Sequence, residues 1–184
     1  TLNPETRRSG GMHYTSIENI HKVIDPLFLD DLRIEFEEIK DLKIAKTKNK
    51  RLNEFKEKLS NLTFLDPACG SGNFLTETYI SLRRLENEAI AEEMGEGQGL
   101  IFDTDEIIKV SIGQFYGIEI NDFAVTVAKT ALWIAESQMM KETENIIARE
   151  LNFLPLKSYA NIVEGNALRI DWETVVPKEK LNYI

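Results

Sequence analysis

The sequence predicts an α/β fold, a parallel sheet with helices on both faces, preceded by a helical segment. Three observations predict it. A short apolar run, Leu62 to Leu65, leads into a glycine turn and then a stretch with helical spacing. The same order of strand, turn and helix recurs from Gln114 to Met139, and a third apolar strand follows at Asn161-Ile-Val163. Helical stretches long enough to cross over between neighbouring strands imply parallel pairing.

Taken in order, residues 1–11 (TLNPETRRSGG) are polar and contain glycine, and they read as an arm. From Ser16, an N-cap, apolar residues Ile17, Ile20, Val23, Ile24, Leu27 and Phe28 recur at helical spacing. Pro26 lies inside that run and predicts a break or kink between two short helices. Residues 30–60 alternate Glu and Lys around Leu32, Phe36, Ile39, Leu52, Phe55 and Leu59, which predicts one long helix or a hairpin bending near Thr47 and Asn49. A helix over 73–93 follows the glycine turn. A glycine linker at 95–99 and a short helical segment around 103–111 lead to the second strand, which ends at Glu119. The next helix, 122–139, has Phe123, Val127, Ala131, Leu132, Ala135 and Met139 as its expected buried stripe. Asn121-Asp122 forms its cap.

Composition bounds the function. The 184 residues, 42% of them hydrophobic, suffice for one domain with a core. The 31 acidic residues outnumber the 22 Lys and Arg, giving a formal net charge of −9, so the chain lacks the basic character of a nucleic-acid-binding surface. No apolar stretch is long enough to span a membrane, no secretory leader is visible, and the single cysteine, Cys69, fits a reducing compartment, so a cytoplasmic location is expected. Leu181, Tyr183 and Ile184 form a rising apolar pattern at the end, so the chain is expected to continue in a longer polypeptide.

The chemistry-bearing stretch is Asp66-Pro-Ala-Cys-Gly-Ser-Gly-Asn-Phe74. Gly70 and Gly72 permit a tight turn and close approach of a ligand to the main chain, and the helix from residue 73 aims its first N–H groups at that ligand. The stretch has neither the three-glycine spacing of a dinucleotide site nor the Gly-Lys-Ser/Thr of a P-loop, so diphosphate and triphosphate ligands fit poorly. Glu119, at the end of the second strand, is placed to accept hydrogen bonds from two ribose hydroxyls, with Ile118 and Ile120 as apolar walls for an adenine ring. His13 and His21 have no metal-site spacing around them. His13 is expected to support the turn at Tyr14-Thr15 or touch a ligand, and His21 to lie on a helix surface. Trp133 is expected to pack its helix on the sheet and Trp172 to anchor a loop.

With these residues in view, FLDPACGSGNFL resembles the cofactor motif of adenine-N6 DNA methyltransferases, and YGIEIN resembles their second motif. GGMHYTS followed by IHKVIDPLFLDDL is similar to the amino-terminal motif of large methyltransferases of bacterial restriction-modification and phage-defence systems, especially the branch in which an endonuclease shares the polypeptide. The resemblance implies a partial class I methyltransferase (Rossmann-like) fold, S-adenosylmethionine as cofactor and DNA as partner of the full-length protein.

It also implies a division of roles. Residues 1–60 form an arm and helical segment with the first cofactor motif, and 61–184 a core of about three strands. Tyr14, Thr15 and Ser16 lie beside the methionine end of the cofactor. Asp66, Pro67 and the turn Ala68, Cys69, Gly70, Gly72, leading into Phe74, meet its amino and carboxylate groups. Glu119 holds the ribose, with Ile120 beside the adenine, while Asn166 and Ala167 lie near the adenine's amino group and ring. Cys69 is not a nucleophile in this chemistry.

The family's pattern continues with a fourth strand into Asn-Pro-Pro-aromatic, the loop that holds a flipped base. That tetrad does not occur in these 184 residues, so no catalytic residue is assigned and the chain alone is expected to be inactive. In such sheets the first and fourth strands are neighbours, so Leu62 to Leu65 is expected to sit at an open apolar edge that favours self-association. Alternatives are a methyltransferase for an RNA or protein amine, or a fragment that only binds or scaffolds.

Overall fold

The computed structural model describes residues 15–95, 107–148, 151 and 160–184. Residues 96–99 of the glycine linker and 103–106 of the helix expected around 103–111 lie outside the described residues, and 108–111 are not helical.

Helix α1 (Ile17–Ile24) starts where expected: the Ser16 hydroxyl accepts the Asn19 N–H at 3.4 Å. Pro26 does not break it. The backbone runs on through a π turn, Asp25–Leu29, into α2 (Asp30–Lys40), with the Asp30 N–H reaching back five residues to the Asp25 carbonyl. The wider turn accommodates a residue that has no N–H and whose ring crowds the preceding turn. It also lets Ile20, Ile24, Phe28, Leu32, Phe36 and Ile39 all reach the core. The chain reverses at 41–44, earlier than Thr47 and Asn49, and both of those residues fall inside α3 (Ala45–Asn61).

Strand β1 (Phe64–Asp66), helix α4 (Asn73–Gly95), strand β2 (Phe115–Glu119), helix α5 (Asp122–Ile147) and strand β3 (Asn161–Glu164) follow as two crossovers. The strands are parallel in the order β1-β2-β3, with Asp66 opposite Gly117 and Glu119 opposite Glu164. Two successive steps in one direction with right-handed crossovers put both connecting helices on the same face. That face carries Phe64, Phe115 and Ile162, packed with α4 and α5 and with the α1–α3 segment in the main core. The sequence led us to expect helices on both faces. Among the described residues, the other face (Leu65, Ile118) is covered instead by the 165–181 segment through Val176, Trp172 and Ile170, with 3-10 turns at Trp172–Thr174 and Lys178–Lys180.

The expected stripe of α5 is right in its second half, where Leu132, Ala135 and Met139 are buried, but its first turn is displaced by one residue. Ala124, Val125 and Ala128 face inward, and Phe123 is 59% exposed. The cap sets that phase: Asn121 Oδ1 accepts the Ala124 N–H at 3.1 Å, which brings the small Ala128 beneath the glycine turn.

The outer edge of β1 is not open. Tyr183 pairs parallel with Phe64, the Leu65 N–H donates to the Tyr183 carbonyl at 2.9 Å, and the Thr63 N–H donates to Asn182 Oδ1 at 2.8 Å. The residues before Ile184 thus begin a further strand beside β1. The self-association expected from a bare edge loses its premise, because the β1 edge groups have partners within the chain. Phe64 lies at the centre of the joint, with Phe28, Phe115 and Tyr183 rings at 5.1, 5.2 and 5.2 Å.

Candidate functional site: a glycine turn at the carboxyl ends of the strands

Three loops meet at the carboxyl ends of β1, β2 and β3. β1 has β2 on one side and the Tyr183 segment on the other, so the strand order reverses here, the place where open parallel sheets receive ligands.

The turn after β1 is built by its glycines. Gly70 (φ +53°) and Gly72 (φ +79°) both adopt left-handed backbone. A Cβ on Gly72 would lie 2.9 Å from the Ala128 Cβ, whereas one on Gly70 would meet nothing within 4 Å. Gly72 therefore serves close packing of the turn on α5, and Gly70 leaves open space over the main chain. A third glycine, which the sequence reading placed only as part of a strand, belongs to the same construction. A Cβ on Gly117 would lie 2.8 Å from Cys69 Sγ and from Ile162 Cδ1. The signal was present, since a glycine inside a strand often marks a close approach by another chain segment.

Cys69 is buried under the turn, its N–H donating to the Ile118 carbonyl at 3.1 Å. Burial first, then the carboxylates of Asp66 and Glu119, push its thiol up to about 12. It is accordingly expected to resist iodoacetamide at pH 8 in the folded chain while reacting fully in denaturant; rapid labelling of folded protein would contradict this.

Two acids converge on this turn. Asp66 accepts the Ala68 N–H at 3.0 Å, and burial foremost raises its pKa, with a contribution from Glu119. Glu119 Oε2 accepts the Gly70 N–H at 2.9 Å and Oε1 the Asn121 N–H at 2.9 Å. Each Glu119 oxygen keeps a second lone pair, so the carboxylate is aimed by the main chain and can still accept from a ligand. The ion pairs among the described residues lie elsewhere, on α1 to α5 and the segment before β2. Ile120 beside Glu119 is 67% exposed.

The remaining expected residues divide. Thr15 and Ser16 are described at the start of α1, while Tyr14 and His13 lie outside the described residues. Phe74 and Pro67 line a cavity of about 260 Å³ together with Val23, Leu27 and Ile184, so α1 shares a wall with the turn. In the loop after β3, Asn166 Oδ1 accepts the Leu168 N–H at 3.0 Å and the Ala167 carbonyl accepts Trp172 Nε1 at 2.8 Å. Both residues shape their own loop, and Trp172 anchors it as expected. Trp133 is partly buried against the main core. His21 is not a simple surface residue: its ring bridges Asp25 and, across to α4, Glu77. Among the described residues no cluster of His, Cys, Asp and Glu is placed to hold a metal.

The profile of the MmeI DNA-methyltransferase domain matches residues 42–184. The chain belongs to that family. Its likeness to DNA methyltransferase A of Bacillus subtilis (strain 168) is 43% identity over 176 residues, 95% of this chain and 19% of that protein. The adenine-specific methyltransferase PglX of Streptomyces coelicolor is 28% identical over 97 residues, 53% of this chain and 7% of that protein. Among solved structures, the type IIL restriction-modification enzyme MmeI in complex with DNA superposes with a TM-score of 0.86 at 40% identity, covering 98% of this chain and 23% of that one. This member of the MmeI family thus spans about a fifth of the length of the Bacillus subtilis methyltransferase and of the MmeI enzyme, and the family match takes in the glycine turn, Glu119 and the loop after β3.

Proposed function

We propose that this chain binds S-adenosylmethionine and is the cofactor-holding part of a DNA adenine-N6 methyltransferase of a restriction-modification or phage-defence system. The observation that carries the reading is the convergence of Asp66 and Glu119 on one glycine turn, with no lysine or arginine ion-paired to either among the described residues. A cationic ligand with a ribose and an amino acid end fits that arrangement: the acids balance its charge, the turn lets its main-chain-like end approach, and Glu119 offers lone pairs to two hydroxyls.

When bound, the cofactor supplies a methyl group activated on a sulfonium. The chain's residues do the holding. Glu119 fixes the ribose, Ile120 covers one side of the adenine, Asp66 receives the ammonium, and Thr15 and Ser16 approach from the start of α1. Asn166 and Ala167, in the loop after β3, would lie near the adenine's amino group and ring. The base-holding Asn-Pro-Pro-aromatic tetrad is absent from these 184 residues, so the chain alone is expected to bind cofactor without transferring a methyl group. A DNA methyltransferase and a DNA-bound enzyme among its relatives support DNA over an RNA or protein amine, and the reading places the chain in the cytoplasm. No helix among the described residues is long and apolar enough to cross a membrane.

Calorimetric titration with S-adenosylmethionine tests this. Wild-type chain is expected to bind, and Glu119→Ala to lose at least roughly tenfold in affinity, since hydrogen bonds to a charged acceptor are worth about 1.5–3 kcal/mol each. Absence of binding by wild-type chain with a normal circular dichroism spectrum and cooperative melting would overturn the reading.

A further inference from the structure

His21 occupies an unusual position for a residue on the outer side of a helix. Its Nδ1 lies 2.7 Å from Asp25 Oδ1, one turn on along the chain in the π turn, and its Nε2 lies 3.0 Å from Glu77 Oε1 on α4. Both carboxylates are acceptors, and a neutral imidazole has only one N–H to give, so only the imidazolium satisfies both contacts. The charges facing the ring are these two acids. Arg33, reaching from α2, sits 3.7 Å from Asp25, and the neighbouring Lys22 is paired with Glu18. Glu77 lies one turn beyond Phe74, at the start of the helix that the glycine turn opens, and its side chain is only 10% exposed. On the other side of the link, α1 is capped by Ser16, directly after Thr15, and its Val23, with Leu27 of the π turn, shares a cavity wall with Asp66, Pro67 and Phe74.

We propose that His21 is a positioning residue for the cofactor site: as an imidazolium it clamps α1, and with it Thr15 and Ser16, onto α4 beside the glycine turn, and it releases the clamp on losing its proton. The inference rests on the reading of the site given above. The hydrogen bond to Asp25 raises the His21 pKa above 6.5, burial opposes this, and Glu77 raises it further. The sign follows from linkage: the folded-state pKa lies above the unfolded value. The clamp is therefore complete below pH 6.5 and is lost as pH rises through the folded-state midpoint. Cofactor affinity is expected to fall across the same interval. A fall of roughly fivefold corresponds to the lower end of couplings between sites.

The experiment has two arms on the 184-residue chain, each with wild type, His21→Gln and Glu77→Gln. In the first, the histidine ring signals and the Thr15 and Ser16 amide signals are followed by NMR against pH without cofactor. The expected result is a His21 midpoint above 6.5, lowered in Glu77→Gln, with the Thr15 and Ser16 amides shifting along the same curve. In His21→Gln the component with that midpoint is gone while the His13 signal persists. In the second arm, S-adenosylmethionine titrations between pH 6 and 9 show the fivefold fall in wild type, and a flatter profile in His21→Gln once the cofactor's own titration, common to all variants, is divided out. A His21 midpoint at or below 6.5, or amides at Thr15 and Ser16 that ignore it, overturns the clamp. Binding with the same pH profile in wild type and His21→Gln overturns the coupling to the site while leaving the cofactor reading intact. No binding at any pH strikes the cofactor reading and the coupling together, and the first arm still decides the clamp.

Discussion

Arg83→Ala is expected to lower the unfolding free energy by about 3–5 kcal/mol, the cost of leaving a buried charge without its partner. Arg83 has no exposed surface, nor does Glu86, with which it pairs one turn along α4. Its other terminal nitrogen, Nη2, donates to the Thr143 hydroxyl of α5 at 2.7 Å, and that hydroxyl also lies 2.7 Å from Asn87 Oδ1. Glu86 accepts in turn the N–H groups of Lys109 and Val110 at 2.6 and 3.1 Å. One charge pair therefore joins α4, α5 and the entry to β2, and through β2 the placing of Glu119. Removing the arginine strands the carboxylate in the core. The double variant Arg83→Met with Glu86→Gln removes both charges and keeps an acceptor for the two backbone N–H groups, so it is expected to retain more stability than Arg83→Ala alone. Denaturant midpoints with slopes decide it; a loss under about 1 kcal/mol for Arg83→Ala would refute a structural role for the pair.

Gly72→Ala is the second large effect, about 3 kcal/mol. Roughly 1–2 kcal/mol comes from holding an alanine in left-handed backbone and roughly 1–3 kcal/mol from overpacking a Cβ against Ala128. The two contributions separate experimentally. Gly70→Ala has left-handed backbone but open space and should show the first alone. Ala128→Gly combined with Gly72→Ala removes the Cβ that lies 2.9 Å away, leaving the Ala128 backbone at 3.2 Å, and should recover part of the second. Equal losses for Gly70→Ala and Gly72→Ala, with no rescue by Ala128→Gly, would show that packing of the turn on α5 does not matter. Gly72→Ala should also weaken cofactor binding, because the displaced turn carries the Gly70 N–H that aims Glu119.

The parts of this protein that were legible in its sequence are those written within a few consecutive residues. Ser16 and Asn121 cap helices through bonds to residues three positions on. Gly70 and Gly72 turn the chain through their own φ angles, and alternation or helical spacing places the three strands and the helices between them. The glycine turn with Glu119 at the next strand end was visible for the same reason. What only the tertiary structure decided depends on residues far apart in the chain. The Thr63 N–H meets Asn182 and closes the edge of β1; Glu77 meets His21 and turns a surface histidine into a link between helices. Thr143 of α5 meets Arg83 of α4, so that a charged side chain lies fully buried between the two helices. Pro26 belongs with these. Its local chemistry argues for a break, yet the packing of Phe28 on Phe64 and Tyr183 holds the helix continuous through a π turn. Local hydrogen bonds and backbone angles are properties of neighbouring residues and can be read in order. A partner across the sheet or between helices is chosen by what the whole core can bury, and that choice exists only once the chain has folded.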